Sequence, residues 1–137
     1  MEAESYLYTV GPLAEQFLLS IKNEGKIKAA YCKNCGRLFL PVRSFCTFCG
    51  KEVNELREID QEGVVESFSK VKLDSFGKEL KEPFYLAYIK FRNVEGGLLH
   101  KLGEVKEPKI GMKVKPVFKE SKERIGSLED ILYFRPI

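Results

Sequence analysis

At 137 residues, 44% of them hydrophobic, the chain has the length of one ordinary domain, or of a small domain with an appended module, and is too apolar for wholesale disorder. No run approaches the roughly 20 apolar residues of a membrane helix, and the acidic start MEAESYLYTV has neither the basic nor the apolar region of a secretory signal. The formal charge of +3 is uneven: residues 20–51 hold seven Lys and Arg against Glu24 alone, and the remainder is net acidic.

These features imply a cytoplasmic protein with no membrane partner. In that reducing compartment, paired cysteines favour a metal over disulfides. The split charge points to two modules, although the positive segment could equally do no more than offset a metal–thiolate centre.

In chain order, the first element is a helix within a segment spanning residues 1–28. Pro12 suits a first helical turn, Leu13, Phe17 and Ile21 recur at a spacing of four, and Asn23 with Gly25 supplies the stop. With Leu18, these make an apolar stripe that packs on the chain's own core or on a partner protein.

Residues 29–52 contain every cysteine, as two Cys-x-x-Cys-Gly turns: Cys32 and Cys35 before Gly36, Cys46 and Cys49 before Gly50. Each turn places two thiolates on one side of a tight loop, the glycine permits a positive φ, and backbone N–H groups can point at the sulfurs. Two such turns at the tips of adjacent hairpins complete a tetrahedral four-sulfur shell, with zinc the expected metal and iron the competitor. Four thiolates leave no open position for water or substrate, so the site is expected to be structural. Lys33 and Lys51 neighbour the ligands and offset their charge. Arg37 and Arg43 flank the hairpin GRLFLPVR and are the candidates for contact with phosphate or an acidic partner.

Residues 53–137 change character. The linker CGKEVNELREID leads into β-branched and aromatic runs at 63–73, 83–91, 97–105, 111–118 and 131–135, separated by the turn-prone DSFGKELKE, NVEGG, EPKIG and ESKERIGSLED. Five strands with no amphipathic helix between them predict a small closed barrel of the OB type. The fold class is mainly β: a rubredoxin-like zinc ribbon, then an OB-fold barrel, preceded by a helix.

Nothing else in the sequence looks catalytic. His100 is the only histidine and lies in a strand-like run, where a half-buried structural role is the ordinary one. Glu79 and Glu82 fall in a loop and are expected to be solvated. Neither a Walker-type loop nor a dinucleotide fingerprint occurs. A ribbon joined to an OB barrel is also a single-stranded nucleic-acid architecture, in which Phe68, Tyr85, Tyr88, Phe91 and Phe118 would stack bases. The net acidic charge of the chain outside residues 20–51 opposes a phosphate backbone.

The motifs resemble a known family. The helix, then GKIKAAYCKNCGRLFLPVRSFCTFCG, GVVESFSKV, PFYLAYIKF, IGMKVKPVF and a terminal YFRP are similar to the zinc-ribbon/OB-fold family catalogued as a domain of unknown function and associated with thiolases and acyl-CoA metabolism. The likeness covers roughly residues 13–136; Thr47 departs from it, standing where members commonly have proline. The resemblance implies a non-catalytic companion of a thiolase or hydroxymethylglutaryl-CoA synthase type enzyme, contributing to acyl-CoA binding. A single-stranded nucleic-acid binder is the alternative.

Overall fold

The computed structural model describes residues 12–137. The first eleven positions of the expected N-terminal segment lie outside the described residues. Helix α1 runs Pro12–Glu24. It ends where Gly25 adopts φ 63° and its N–H reaches the Ile21 carbonyl at 3.2 Å. The stripe expected from the sequence is buried: Leu13, Ala14, Phe17, Leu18 and Ile21 all lie in the core. Ala14, Phe17 and Leu18 share one small apolar cavity with Pro41 and Val42 of the cysteine segment and with Leu98 and Leu128 of the barrel segment. The helix therefore packs on the chain itself, at the place where the two modules meet.

Strands β1 (Lys28–Cys32), β2 (Arg37–Leu40), β3 (Glu55–Glu58) and β6 (Val94–Gly96) form a four-stranded sheet in the order β3-β1-β2-β6. Two of its strands were not expected from the sequence. β3 is ELRE, a charged stretch with no strand pattern, and exists because Leu56 and Arg57 register against Ala30 and Ala29 of β1. β6 lies within NVEGG, read as a turn. Three residues carry no periodicity, and only parallel pairing of Leu38, Leu40 with Val94, Gly96 makes this segment a strand.

The remaining strands, β4 (Gly63–Leu73), β5 (Glu79–Phe91), β7 (Leu98–Leu102), β8 (Lys113–Phe118) and β9 (Ile131–Pro136), close a barrel in the order β4-β5-β7-β9-β8. All five runs expected from the sequence are present. Closure is made by Gly63 and Val64 of β4 against Val114 and Lys113 of β8. At Gly63 an added Cβ would run into Ile89, so glycine is what permits the seam. Val65, Ala87, Ile89, Leu102, Val114, Ile131 and Phe134 fill the interior.

β5 begins at Glu79, earlier than expected, so Glu79 and Glu82 are exposed strand residues and the turn shrinks to Asp74–Lys78. Asp74 organises that turn by accepting N–H bonds from Phe76 and Lys78 at 2.8 and 3.0 Å. The result is a two-stranded arm. β8 pairs with β4 only at its base and β7 with β5 only from Tyr85 onward, so residues 66–84 project past the closing strands. Leu73 and Phe76 near the tip are exposed, Phe76 to 88%.

The segment before β9 is fixed by a buried carboxylate. Asp130, 0% exposed, accepts N–H bonds from Ile125, Gly126 and Ser127. Such a charge is tolerated in a core because backbone donors replace its water. His100 on β7 sits beside this loop. Its Nε2–H donates to the Leu128 carbonyl at 3.1 Å, its Nδ1 accepts the Lys101 N–H at 2.8 Å, and its ring meets Phe134 edge-on. That is the structural role expected of it.

Phe17→Ala should destabilise the chain by about 3–5 kcal/mol, because the ring bridges both modules and no neighbour can fill its space; equilibrium denaturation measures this. A second expectation concerns pH. Burial lowers the His100 pKa below its ordinary 6.5, with the nearby Lys101 charge acting in the same direction. The neutral ring is thus the folded form. Its stability contribution is complete above pH 6.5 and is lost as the pH falls from there through the folded value. Denaturation midpoints of His100→Gln should fall less steeply than those of the parent below that pH.

Candidate metal centre and adjoining cleft

Cys32 closes β1 and Cys35 follows in the turn, where the Gly36 N–H returns to the Cys32 carbonyl at 2.8 Å with φ 69°. The second turn repeats the geometry: Gly50 N–H to the Cys46 carbonyl at 2.8 Å, φ 75°. Bonds from Cys46 N–H to the Lys51 carbonyl and from Val53 N–H to the Ser44 carbonyl, with the Phe45–Glu52 bridge, fasten this loop. Threonine at position 47 leaves the turn intact.

The two turns face each other. Cys32 and Cys49 sulfurs are 3.5 Å apart, Cys35 and Cys46 sulfurs 3.6 Å, and all four lie within 4.8 Å. A tetrahedral shell with bonds of ~2.3 Å has edges of about 3.8 Å, so the donor set fits such an ion in number, type and spacing. Cys32 and Cys46 are buried while Cys35 and Cys49 face outward.

Backbone amides serve the outer sulfurs at equivalent positions. The Lys51 N–H, then the Asn34 side chain, draw the Cys49 thiol down to about 6. Cys35 receives the Arg37 N–H, but desolvation and its sulfur neighbours push it up to about 12. Four thiols this close cannot all ionise unless a cation joins them.

The basic residues around the cluster have separate fates. Lys33 pairs with Glu55 at 3.5 Å. The Arg37 guanidinium lies 4.1 Å over the Phe48 ring. Arg43 is half-buried and stands apart from Arg37, which lines an open cleft of about 540 Å³ between the four-stranded sheet and the barrel. Tyr31, Leu38, Arg57, Lys90 and Asn93 line it too. Arg57 and Lys90 carried no sequence signal, because only the pairing of β3 and β6 with the ribbon brings them beside Arg37.

The aromatics considered for base stacking do not form one platform. Phe91 is buried against Phe134, Phe118 is half-buried beside Arg124, and only Phe68 and Tyr85 meet, edge to face at 5.9 Å.

A cysteine-knuckle ribbon joined to a five-stranded OB barrel defines the class of protein. Residues 20–55 match the family model described as the ChsH2 rubredoxin-like zinc ribbon domain, and residues 56–119 the ChsH2 C-terminal OB-fold domain. A DUF35 domain-containing scaffold protein of Methanocaldococcus jannaschii is 31% identical over 98 residues, 67% of each chain. Among solved structures, a DUF35-family protein of unknown function from Sulfolobus solfataricus superposes with a TM-score of 0.76 at 34% identity, over 100% of this chain and 93% of that one. A chain of the Ltp2–ChsH2(DUF35) aldolase shares the fold, with a TM-score of 0.65 at 21% identity over 89% and 93% of the two chains. The chain belongs to the DUF35 family of zinc-ribbon/OB-fold proteins. No helix among the described residues is long and apolar enough to cross a membrane.

Proposed function

We propose that this protein is a non-catalytic accessory or scaffold subunit of an acyl-CoA enzyme of the thiolase or hydroxymethylglutaryl-CoA synthase type. The observation that carries the reading is the arm formed by β4 and β5. Its strands have free outer edges, and Leu73 and Phe76 stand in solvent with no covering layer among the described residues. An isolated two-stranded ribbon is marginally stable in water and exposed apolar tips favour a partner surface. Phe45 and Phe48 extend the same character to the cysteine tip. The scaffold described for the M. jannaschii relative supports the reading, and the acyl-CoA class follows from the family resemblance of the sequence.

In the same reading, Cys32, Cys35, Cys46 and Cys49 hold one structural zinc ion. Arg37 and Arg43 contact CoA phosphates or the acidic surface of the partner. The metal, when bound, supplies charge neutralisation and a cross-link between the two turns. The chain's own residues do the rest: short strands β1 and β2 aim the thiols, and the Arg37 and Lys51 N–H groups steady the outer pair.

Two measurements test this. Elemental analysis of the untagged protein should find about one equivalent of zinc, and chelation should unfold the ribbon, since metal binding here is folding free energy. Cys46→Ser should lose the metal; a red, iron-loaded protein or a disulfide by mass would contradict zinc. Affinity purification from the native host should recover an acyl-CoA condensing enzyme. Leu73→Ser with Phe76→Ser should release that enzyme while metal content stays unchanged. Recovery of nucleic acid in place of an enzyme would overturn the accessory role.

A further inference from the structure

The four sulfurs differ in what they meet. Cys32 and Cys46 are 1% and 2% exposed, whereas Cys35 and Cys49 face solvent. Each outer sulfur lies against an inner sulfur of the opposite turn: Cys49 is 3.5 Å from Cys32, and Cys35 is 3.6 Å from Cys46. A dissolved oxidant therefore reaches two sulfurs first. Each of these already touches a second sulfur that solvent does not reach.

The backbone fixes which sulfurs meet. The Gly36 and Gly50 N–H groups tie each turn back on itself, and Cys32 pairs with Arg37 in the register of β1 and β2. The Val53 N–H closes the second loop on the Ser44 carbonyl at 2.7 Å. Phe39, Leu40, Val42 and Val53 share one hydrophobic cluster with the inner cysteines, which keeps water from those two sulfurs. A sulfur–sulfur bond is ~2.05 Å long, so each contacting pair has to close by roughly 1.5 Å, a distance that small rotations of two side chains supply. A bond inside either turn would leave the two turns unlinked. A bond between them would hold them as the ion does.

We propose that this cluster is a site of oxidation by hydroperoxides, at which the four thiolates become two disulfides between the turns, Cys32–Cys49 and Cys35–Cys46, and the ribbon stays closed. The Cys49 thiolate attacks the peroxide: a sulfur–oxygen bond forms, the oxygen–oxygen bond breaks and hydroxide leaves. The sulfur is thereby oxidised to a sulfenic acid and the peroxide is reduced. The Cys32 thiolate then attacks the Cys49 sulfur, the sulfur–sulfur bond forms and a second hydroxide departs. Cys35 and Cys46 repeat the sequence with a second peroxide. Loss of the thiolate charges frees a bound cation, and the disulfides take over its cross-link. Capture by a thiolate already in contact also spares the outer sulfurs from the irreversible sulfinic acid. The proposal rests on the structural metal site described above and needs no enzyme partner.

The test treats the full, zinc-loaded chain with millimolar hydrogen peroxide and follows released zinc with a chromogenic chelator, intact mass and circular dichroism. Zinc should appear in solution as the chain settles about 4 Da below its reduced, metal-free mass, with the sheet spectrum retained. A thiol reductant with added zinc should restore the starting state. After free thiols are alkylated, digestion with trypsin and chymotrypsin assigns the bonds, because Lys33 separates Cys32 from Cys35 and Phe48 separates Cys46 from Cys49. Cys32 should be found joined to Cys49, and Cys35 to Cys46. Bonds within the turns, sulfinic acid at Cys35 or Cys49, loss of the sheet spectrum, or zinc and thiols unchanged by peroxide would each overturn the proposal. A chain that purifies without any metal removes the metal site itself, whereas a zinc-loaded chain that resists peroxide keeps that site and removes only its oxidation.

Discussion

The parallel pairing of Val94–Gly96 with Leu38–Leu40 is the contact on which the rest of the molecule depends. β6 is contributed from between two barrel strands, yet its hydrogen bonds go to the ribbon, so the ribbon sheet is incomplete without a strand from the barrel segment. The geometry demands glycine twice. At Gly96 a side chain would collide with the Leu40 carbonyl, and at Gly97, where the chain turns back into the barrel, with that of Ile89. Helix α1 closes the opposite side of the junction, and Arg124 bonds to both the Lys119 and Lys22 carbonyls, tying the loop before β9 to the helix end.

This linkage changes what a structural metal does. β1 and β2 are four or five residues long, too short to persist as a hairpin on their own. Cys32 and Cys46 lie in the same hydrophobic cluster as Phe39, Leu40 and Val94. Cross-linking the cysteine turns therefore steadies β2, β2 steadies β6, and β6 sets the distance from Arg37 to Lys90 across the cleft. A closed four-thiolate site would thus act on the rest of the molecule through the backbone alone.

Legibility in the sequence followed the range of the interactions. α1 was readable because its stripe repeats every turn and its stop is a left-handed glycine. The cysteine turns were readable because their ligands and glycines are local. All five barrel strands carry β-branched and aromatic runs long enough to show. β3 and β6 were not legible, since ELRE and VEG become strands only through pairing partners far away in the chain. The cleft inherits that blindness: Arg37 drew attention as part of a basic hairpin, whereas Arg57 sat in a linker and Lys90 in an ordinary strand. Arg43, picked out on the same grounds as Arg37, lies off the cleft wall.

The OB barrel invites comparison with nucleic-acid binding, and the side chains here argue against carrying it over. A stacking platform needs aromatics in one row on an open face. In this barrel Phe91 has turned inward to Phe134, and Phe118 lies half-buried beside the Arg124 guanidinium. Exposed apolar side chains instead include Leu73 and Phe76 of the β4–β5 arm and Phe45 and Phe48 of the cysteine tip. Cations gather in the concavity between the modules, where Arg37, Arg57 and Lys90 line one cleft. Convex apolar projections suit another protein's surface better than a row of stacked bases.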